Sequence, residues 1–116
     1  MSSDSLSYLP LTEPTFYILL SLVPGKKHGY AISKDVKELS SQRVNLSTST
    51  LYTVIGRLLD QELIERLFDD DADSGPGLPR KSYTLTELGK RVLDAETNRL
   101  QGMVNEARLR LREDGA

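Results

Sequence analysis

Apolar positions recur along this chain in several distinct rhythms. In "TEPTFYILLSLVPG" nearly every face is apolar from Phe16 to Val23; Thr12 can cap, Pro14 fits the first turn and Pro24-Gly25 ends the run, which predicts a buried helix. In "HGYAISKDVKELSSQ", Ile32, Val36 and Leu39 fall at i, i+4 and i+7 while Lys34, Asp35, Lys37 and Glu38 face away, predicting a surface helix with one buried stripe. From Leu51 the pattern is helical again: Leu51, Val54, Ile55, Leu58 and Leu59 cover an arc of about 140°. Opposite that arc lie Ser49, Thr53 and Gly56, flanked by Thr50 and Arg57 on one side and Tyr52 on the other.

After Leu63 the period shortens. "IERLF", an acidic Gly/Pro-containing turn and "RKSYTL" predict a two-stranded hairpin, with Tyr83 and Leu85 on one side and Ser82 and Thr84 on the other. Thr86 then caps the longest helix, running to about Arg112. Within it Leu93, Thr97, Leu100, Val104, Ala107 and Leu111 recur in alternating steps of four and three, the seam of a short coiled coil. One small domain has no spare surface to cover such a seam, so self-pairing through this helix is expected. The expected organisation is a flexible segment over 1–10, a winged helix-turn-helix over 11–86 and a dimerisation helix over 87–116. The fold class is mainly α with a small β-hairpin.

Composition narrows the chemistry. The chain of 116 residues contains no Cys, which excludes a disulfide framework, a thiolate metal site and a cysteine nucleophile. No apolar run approaches the roughly 20 residues that cross a bilayer, and "MSSDSLSYLP" lacks the features of a signal peptide; a soluble cytoplasmic protein with no membrane role is expected. The net charge of −2 conceals an uneven distribution, with five acids and one base in residues 63–79 against eight bases and six acids in residues 80–116. Overall charge therefore does not settle whether the partner is anionic.

Three helices followed by a hairpin is the order of a winged helix-turn-helix, whose third helix enters the DNA major groove. "STST" at 47–50 carries more hydroxyls than one helix cap uses. Ser47 or Thr48 can serve as the cap, and short hydroxyl side chains let a helix approach closely, donate to phosphates and pack on base edges. Thr48, Ser49, Thr50 and Thr53 are accordingly the expected groove-facing residues, with Tyr52 and Arg57 set for backbone contact. Tyr52 can also lean its ring on helix two. Gly56 costs about 1 kcal/mol relative to Ala in mid-helix, so something approaches its backbone, either a DNA strand or another helix.

"KKHGY" opens helix two, where free N–H groups favour a phosphate that Lys26, Lys27 and Tyr30 can reinforce. His28, the single histidine, is expected to position backbone; without thiols or a nucleophile–base pair it supports neither a metal site nor catalysis, and no cofactor is expected. In the wing, Asp69, Asp70, Asp71 and Asp73 repel phosphate while Arg80 and Lys81 attract it. Either the acidic half faces solvent and the two bases touch DNA, or the wing contributes little.

"LTEPTFYILLSL", "HGYAI", "STLYTVIGRLLDQELIE" and "RKSYTLTELGK", in this order and spacing, resemble the PadR family of bacterial transcriptional regulators, especially its short members with a single terminal helix. The resemblance spans Leu11 to about Leu111. It implies a homodimeric repressor on a pseudo-palindromic double-stranded DNA operator, with Tyr30, Ser49, Thr50, Tyr52 and the basic wing residues facing DNA. The wing here is longer and more acidic than is usual for the family. Some short members bind flat aromatic effectors between subunits; here that region has no Trp, leaving a small apolar effector near Met103 and Val104 as the open alternative. A rival from another class is a winged-helix protein-interaction module without DNA binding, favoured by the slight net acidity.

Overall fold

The computed structural model describes residues 5–68 and 81–115. Its element order is α1 (Glu13–Ser21), β1 (Lys27–His28), α2 (Gly29–Leu39), α3 (Thr48–Asp60), β2 (Ile64–Phe68), β3 (Lys81–Leu85) and α4 (Glu87–Gly115). α1 begins as the sequence predicts: the Thr12 side chain accepts the Thr15 N–H, and Pro14 sits in the first turn, where a missing N–H is no loss. Ile18 and Leu19 are fully buried, with Phe16, Tyr17 and Leu20 half-buried against the same core. In α2, Ile32 and Val36 are fully buried, but Leu39 is 42% exposed. The helix ends there, and Ser41 and Gln42 turn the chain through left-handed backbone conformations.

The strands depart from a two-stranded hairpin. They form a three-stranded antiparallel sheet in the order β1-β3-β2. Lys27 and His28 pair with Tyr83 and Ser82 on one edge of β3, while Ile64 to Phe68 pair with Leu85 to Lys81 on the other. A strand of two residues is too short to carry a period-2 signature, so the sequence pattern merges it with the following helix. β3 is consequently central, and Ser82 is buried together with Tyr83 and Leu85, where simple alternation puts Ser82 on the open side with Thr84. The acidic turn and Arg80 lie outside the described residues.

Thr86 locks α4 onto the end of α3. Its hydroxyl accepts the Gly89 N–H at 3.0 Å and donates to the Glu62 carbonyl at 2.7 Å, while its own N–H donates to the Leu63 carbonyl at 3.1 Å. A Cβ on Gly89 would stand 2.0 Å from that Leu63 carbonyl oxygen, so only glycine permits this approach. Val92 and Leu93 complete the core shared by Leu51, Ile55, Leu58, Leu63 and Ile64. The first half of α4 thus packs into the same core as α3 and β2.

The segment before α1 packs on the same core. Tyr8 and Leu9, expected at the end of a flexible segment, pack against the core, and the Leu11 N–H donates to Glu96 Oε2 at 2.8 Å. Glu96 is buried and also takes Arg99 Nε at 2.5 Å and Nη2 at 3.1 Å. Leu100, half-buried, is the last covered position. From Gln101 to Glu113 every side chain is exposed, an overhang of about 20 Å at 1.5 Å per residue.

Candidate nucleic-acid interface

α3 buries Leu51, Val54, Ile55 and Leu58 and turns its other face outward. Ser47 is the cap: its hydroxyl accepts the Thr50 N–H at 3.2 Å and donates to Thr50 Oγ1 at 2.9 Å. One hydroxyl thus satisfies the helix end, and those of Thr48, Ser49, Thr50 and Thr53 are surplus to capping; all four residues are exposed. Their hydrogen-bonding characters differ. Thr50 Oγ1 already accepts from Ser47, leaving its proton to donate outward. Thr53 Oγ1 gives its proton to the Ser49 carbonyl at 2.9 Å, so it offers lone pairs and a methyl group instead.

Tyr52 shows both halves of its expected role. Its ring lies over Gly29 at the start of α2, so closely that a Cβ there would stand 2.3 Å from the Tyr52 hydroxyl, yet the residue is 47% exposed. Gly56 faces open space: a Cβ built there meets nothing within 4 Å. Of the two causes the sequence left open, close packing of another helix of this chain is removed. Arg57 is exposed on the flank.

At the start of α2 the basic residues divide. Tyr30 is 81% exposed. Lys27, in contrast, is turned inward: its ammonium donates to the Ser21 carbonyl at 2.7 Å and stands 3.8 Å from Asp35, helping to end α1. Lys26 is exposed. His28 Nδ1 lies 3.0 Å from the Lys81 carbonyl, which can only accept, so Nδ1 carries a proton and the ring pins the wing to α2. That bond and the β1–β3 pairing hold Lys81, exposed, beside α2.

Between α3, the start of α2 and the sheet lies an open cleft of about 820 Å³. Ile55 and Leu59 line it with Tyr52 and Tyr83, and Arg66 and Lys81 supply its cations. Burial raises the Tyr83 phenol above its ordinary pKa and the neighbouring Tyr52 adds to this, while the Arg66 guanidinium, which hydrogen-bonds it, pulls the other way. Sequence reasoning missed Arg66 and Tyr83. They stand opposite each other in the β2–β3 register, and a register across a twelve-residue turn is not legible from alternation alone.

The six seam residues separate into two groups. Leu93 is buried in the protomer's own core, and the Thr97 hydroxyl donates to the Leu93 carbonyl at 2.9 Å. Leu100 lines a small hollow with Phe16 and Tyr17. Val104, Ala107 and Leu111 are exposed, and so is Met103, which the seam pattern omitted. Leu100, Met103, Val104, Ala107 and Leu111 lie within an arc of about 100° that prolongs the face buried at Val92, Leu93 and Glu96.

Three helices, a short edge strand and a two-stranded wing, with α3 presented outward, define a winged helix-turn-helix protein. Residues 18–95 match the model of the transcriptional regulator PadR-like family, and the chain belongs to that family. An uncharacterised protein from Lysinibacillus sphaericus is 36% identical over 77 residues, which make up 66% of this chain and 68% of the relative. Among solved structures, a PadR family transcription regulator from Clostridium difficile superposes with a TM-score of 0.72 at 24% identity, over 86% of this chain and 99% of that one. Bacillus subtilis PadR in complex with operator DNA superposes with a TM-score of 0.63 at 30% identity, over 74% of this chain and 47% of that one. Among the described residues no helix is long and apolar enough to cross a membrane, and no cluster of His, Asp or Glu is arranged to hold a metal ion.

Proposed function

We propose that this protein is a homodimeric transcriptional regulator that binds double-stranded DNA through the outer face of α3 and acts as a repressor on a pseudo-palindromic operator. The observation that carries the reading is the surplus of exposed hydroxyls on α3, beyond the one its cap consumes, on a fold shared with a regulator solved on its operator. In this reading Thr53 reads bases. As an acceptor bearing a methyl, it suits the amino group of adenine or cytosine, or the thymine methyl. Thr50, as a donor, suits a phosphate, with Thr48 and Ser49 beside it at the groove edge. Tyr30, Tyr52, Arg57 and Lys81 position the backbone, joined by Lys26, His28 and, on the returning strand, Arg80. Lys27 is left out, because its ammonium serves the Ser21 carbonyl.

The dimer is inferred from the overhang of α4. Its apolar stripe is a continuation of a core-facing stripe, and a second copy lying antiparallel would cover it with the matching stripe and with Phe16 and Tyr17. Two α3 helices related by such a two-fold axis would enter major grooves about 34 Å apart. Thr53→Val tests the reading directly, since it keeps shape and replaces the acceptor with a methyl. It should change preference at one base pair per half-site by about 1–3 kcal/mol. Unchanged preference across a randomised site would remove Thr53 from base reading. No retardation of any DNA at low salt, with a protein recovered on the α3 face, would favour the interaction-module reading.

A further inference from the structure

We infer that the entry to α1, Leu11 to Glu13, is a joint through which α4 positions α3, with Glu96 and Arg43 as positioning residues on its two sides; its effect on DNA rests on the two-headed reading above, the joint itself does not. Glu96 is the odd member of the face it occupies. Val92, Leu93 and Leu100 around it are apolar, yet it is a carboxylate only 1% exposed. For stability alone an apolar side chain of similar size would serve as well or better, because a buried charge must recover its lost hydration. What the carboxylate adds is direction. It accepts the Leu11 N–H, 85 residues away in sequence, at 2.8 Å, and the Arg99 guanidinium takes up its other lone pairs. Apolar contact lets one helix slide or roll on another, whereas these bonds fix α4 against a single backbone atom just ahead of α1.

The same entry is held from the other side. Glu13, in the first turn of α1, forms an ion pair with Arg43. Arg43 belongs to the loop between α2 and α3, a short step before the Ser47 cap. That loop is stiff: the buried Ser40 hydroxyl accepts the Val44 N–H at 2.9 Å, the Gln42 N–H donates to the Lys37 carbonyl at 2.8 Å, and Val44 and Leu46 pack on the core. A displacement of Arg43 is therefore carried to the front of α3. Arg99, Glu96, Leu11, Glu13 and Arg43 thus make one contiguous run of backbone and polar contacts from the last covered turn of α4 to the threshold of α3. The Arg43 pair is exposed and screened by solvent, which makes it the weaker anchor. In the proposed dimer the two α3 helices take their relative orientation from the paired α4 helices. A loose joint would spoil the fit of two heads to one operator, not the fit of either head to its half-site.

The chain has no cysteine, so Asn45→Cys and Asn105→Cys, both at exposed positions, can carry spin labels beside α3 and on the overhang of α4. In full chains diluted with unlabelled protein, the distance between the two labels should show a single narrow distribution. Glu96→Gln and, less strongly, Arg43→Gln should broaden it while helicity is kept. Distributions unchanged in both variants would overturn the joint. A second arm compares an inverted-repeat duplex selected from random fragments with a duplex carrying one half-site. The two affinities give the effective concentration at which one bound head presents the other, a gain of roughly 10²–10⁴ in well-matched two-site binders. Glu96→Gln should lower that concentration about tenfold with half-site affinity unchanged, and adding Arg43→Gln should lower it no further, since both act through one segment. Full multiplication of the two effects, or a loss of half-site affinity at constant effective concentration, would overturn the positioning roles. Wild-type protein that binds the inverted repeat no better than the half-site would instead contradict the two-headed reading, and the label distances would still decide the joint.

Discussion

The outer face of α3 and the apolar stripe along the overhanging half of α4 are both exposed helical surfaces, and they are made of opposite materials. α3 presents Thr48, Ser49, Thr50, Thr53 and Arg57, all at ease in water. α4 presents Met103, Val104 and Leu111, the last 71% exposed. Two exposed helix faces thus call for two kinds of partner. A hydroxyl surface is stable alone and gains from a polar ligand, whereas an apolar stripe that continues a core-facing one is unstable until something apolar covers it.

The largest effect should come from the apolar side of this contrast. Val104→Asp with Leu111→Asp places four charges in the proposed two-fold interface, since each substitution counts twice. Burial of one such side chain is worth about 1.5–3 kcal/mol, so self-association should weaken at least about 100-fold by sedimentation equilibrium while helicity is kept. Two glycines differ in the same way, one enclosed and one open. Gly89→Ala drives a Cβ into the Leu63 carbonyl and should destabilise the domain by about 3 kcal/mol in urea unfolding. Gly56→Ala meets nothing and should stabilise α3 by about 0.5–1 kcal/mol while weakening DNA binding.

Glu96 is buried one turn before the covered part of α4 ends at Leu100. The Arg99 hydrogen bond holds its carboxyl below the usual range, burial opposes this and the Leu11 N–H assists it. Because the folded value is the lower one, the stabilisation is complete above the unfolded pKa of ~4.3 and is lost as pH falls through the folded value. Glu96→Gln should cost about 1–2 kcal/mol at neutral pH, and the difference from wild type should shrink in acid. No such convergence would mean the carboxylate is not held in this way. The smallest effects belong to the polar side: Arg57→Ala or Lys81→Ala should each reduce the salt dependence of DNA affinity by about one counterion, without altering sequence preference.

Much of α3 was legible in the sequence, because its cap, its buried stripe and its outer face all follow from local chemistry and a 100° step. The sheet was less so. β1 has two residues and no period, and Ser82, which pairs with it, is buried where alternation leaves it open. Lys27 carries a charge suited to phosphate, but only the fold shows that the Ser21 carbonyl lies within its reach. Along α4 the apolar period is nearly uniform, and the sequence cannot mark where the domain beneath it stops. Leu93 therefore looked equivalent to Val104, although one is core and the other overhang. Arg66 escaped notice because its significance comes from facing Tyr83 across the sheet.

The central claim is that two copies of the α3 face read DNA together. Recovery of bound sequences from random fragments tests it most directly. An inverted repeat with half-site centres about 10–10.5 base pairs apart is expected. Recovered fragments sharing no repeat, or a single unpaired half-site bound by one chain, would contradict it.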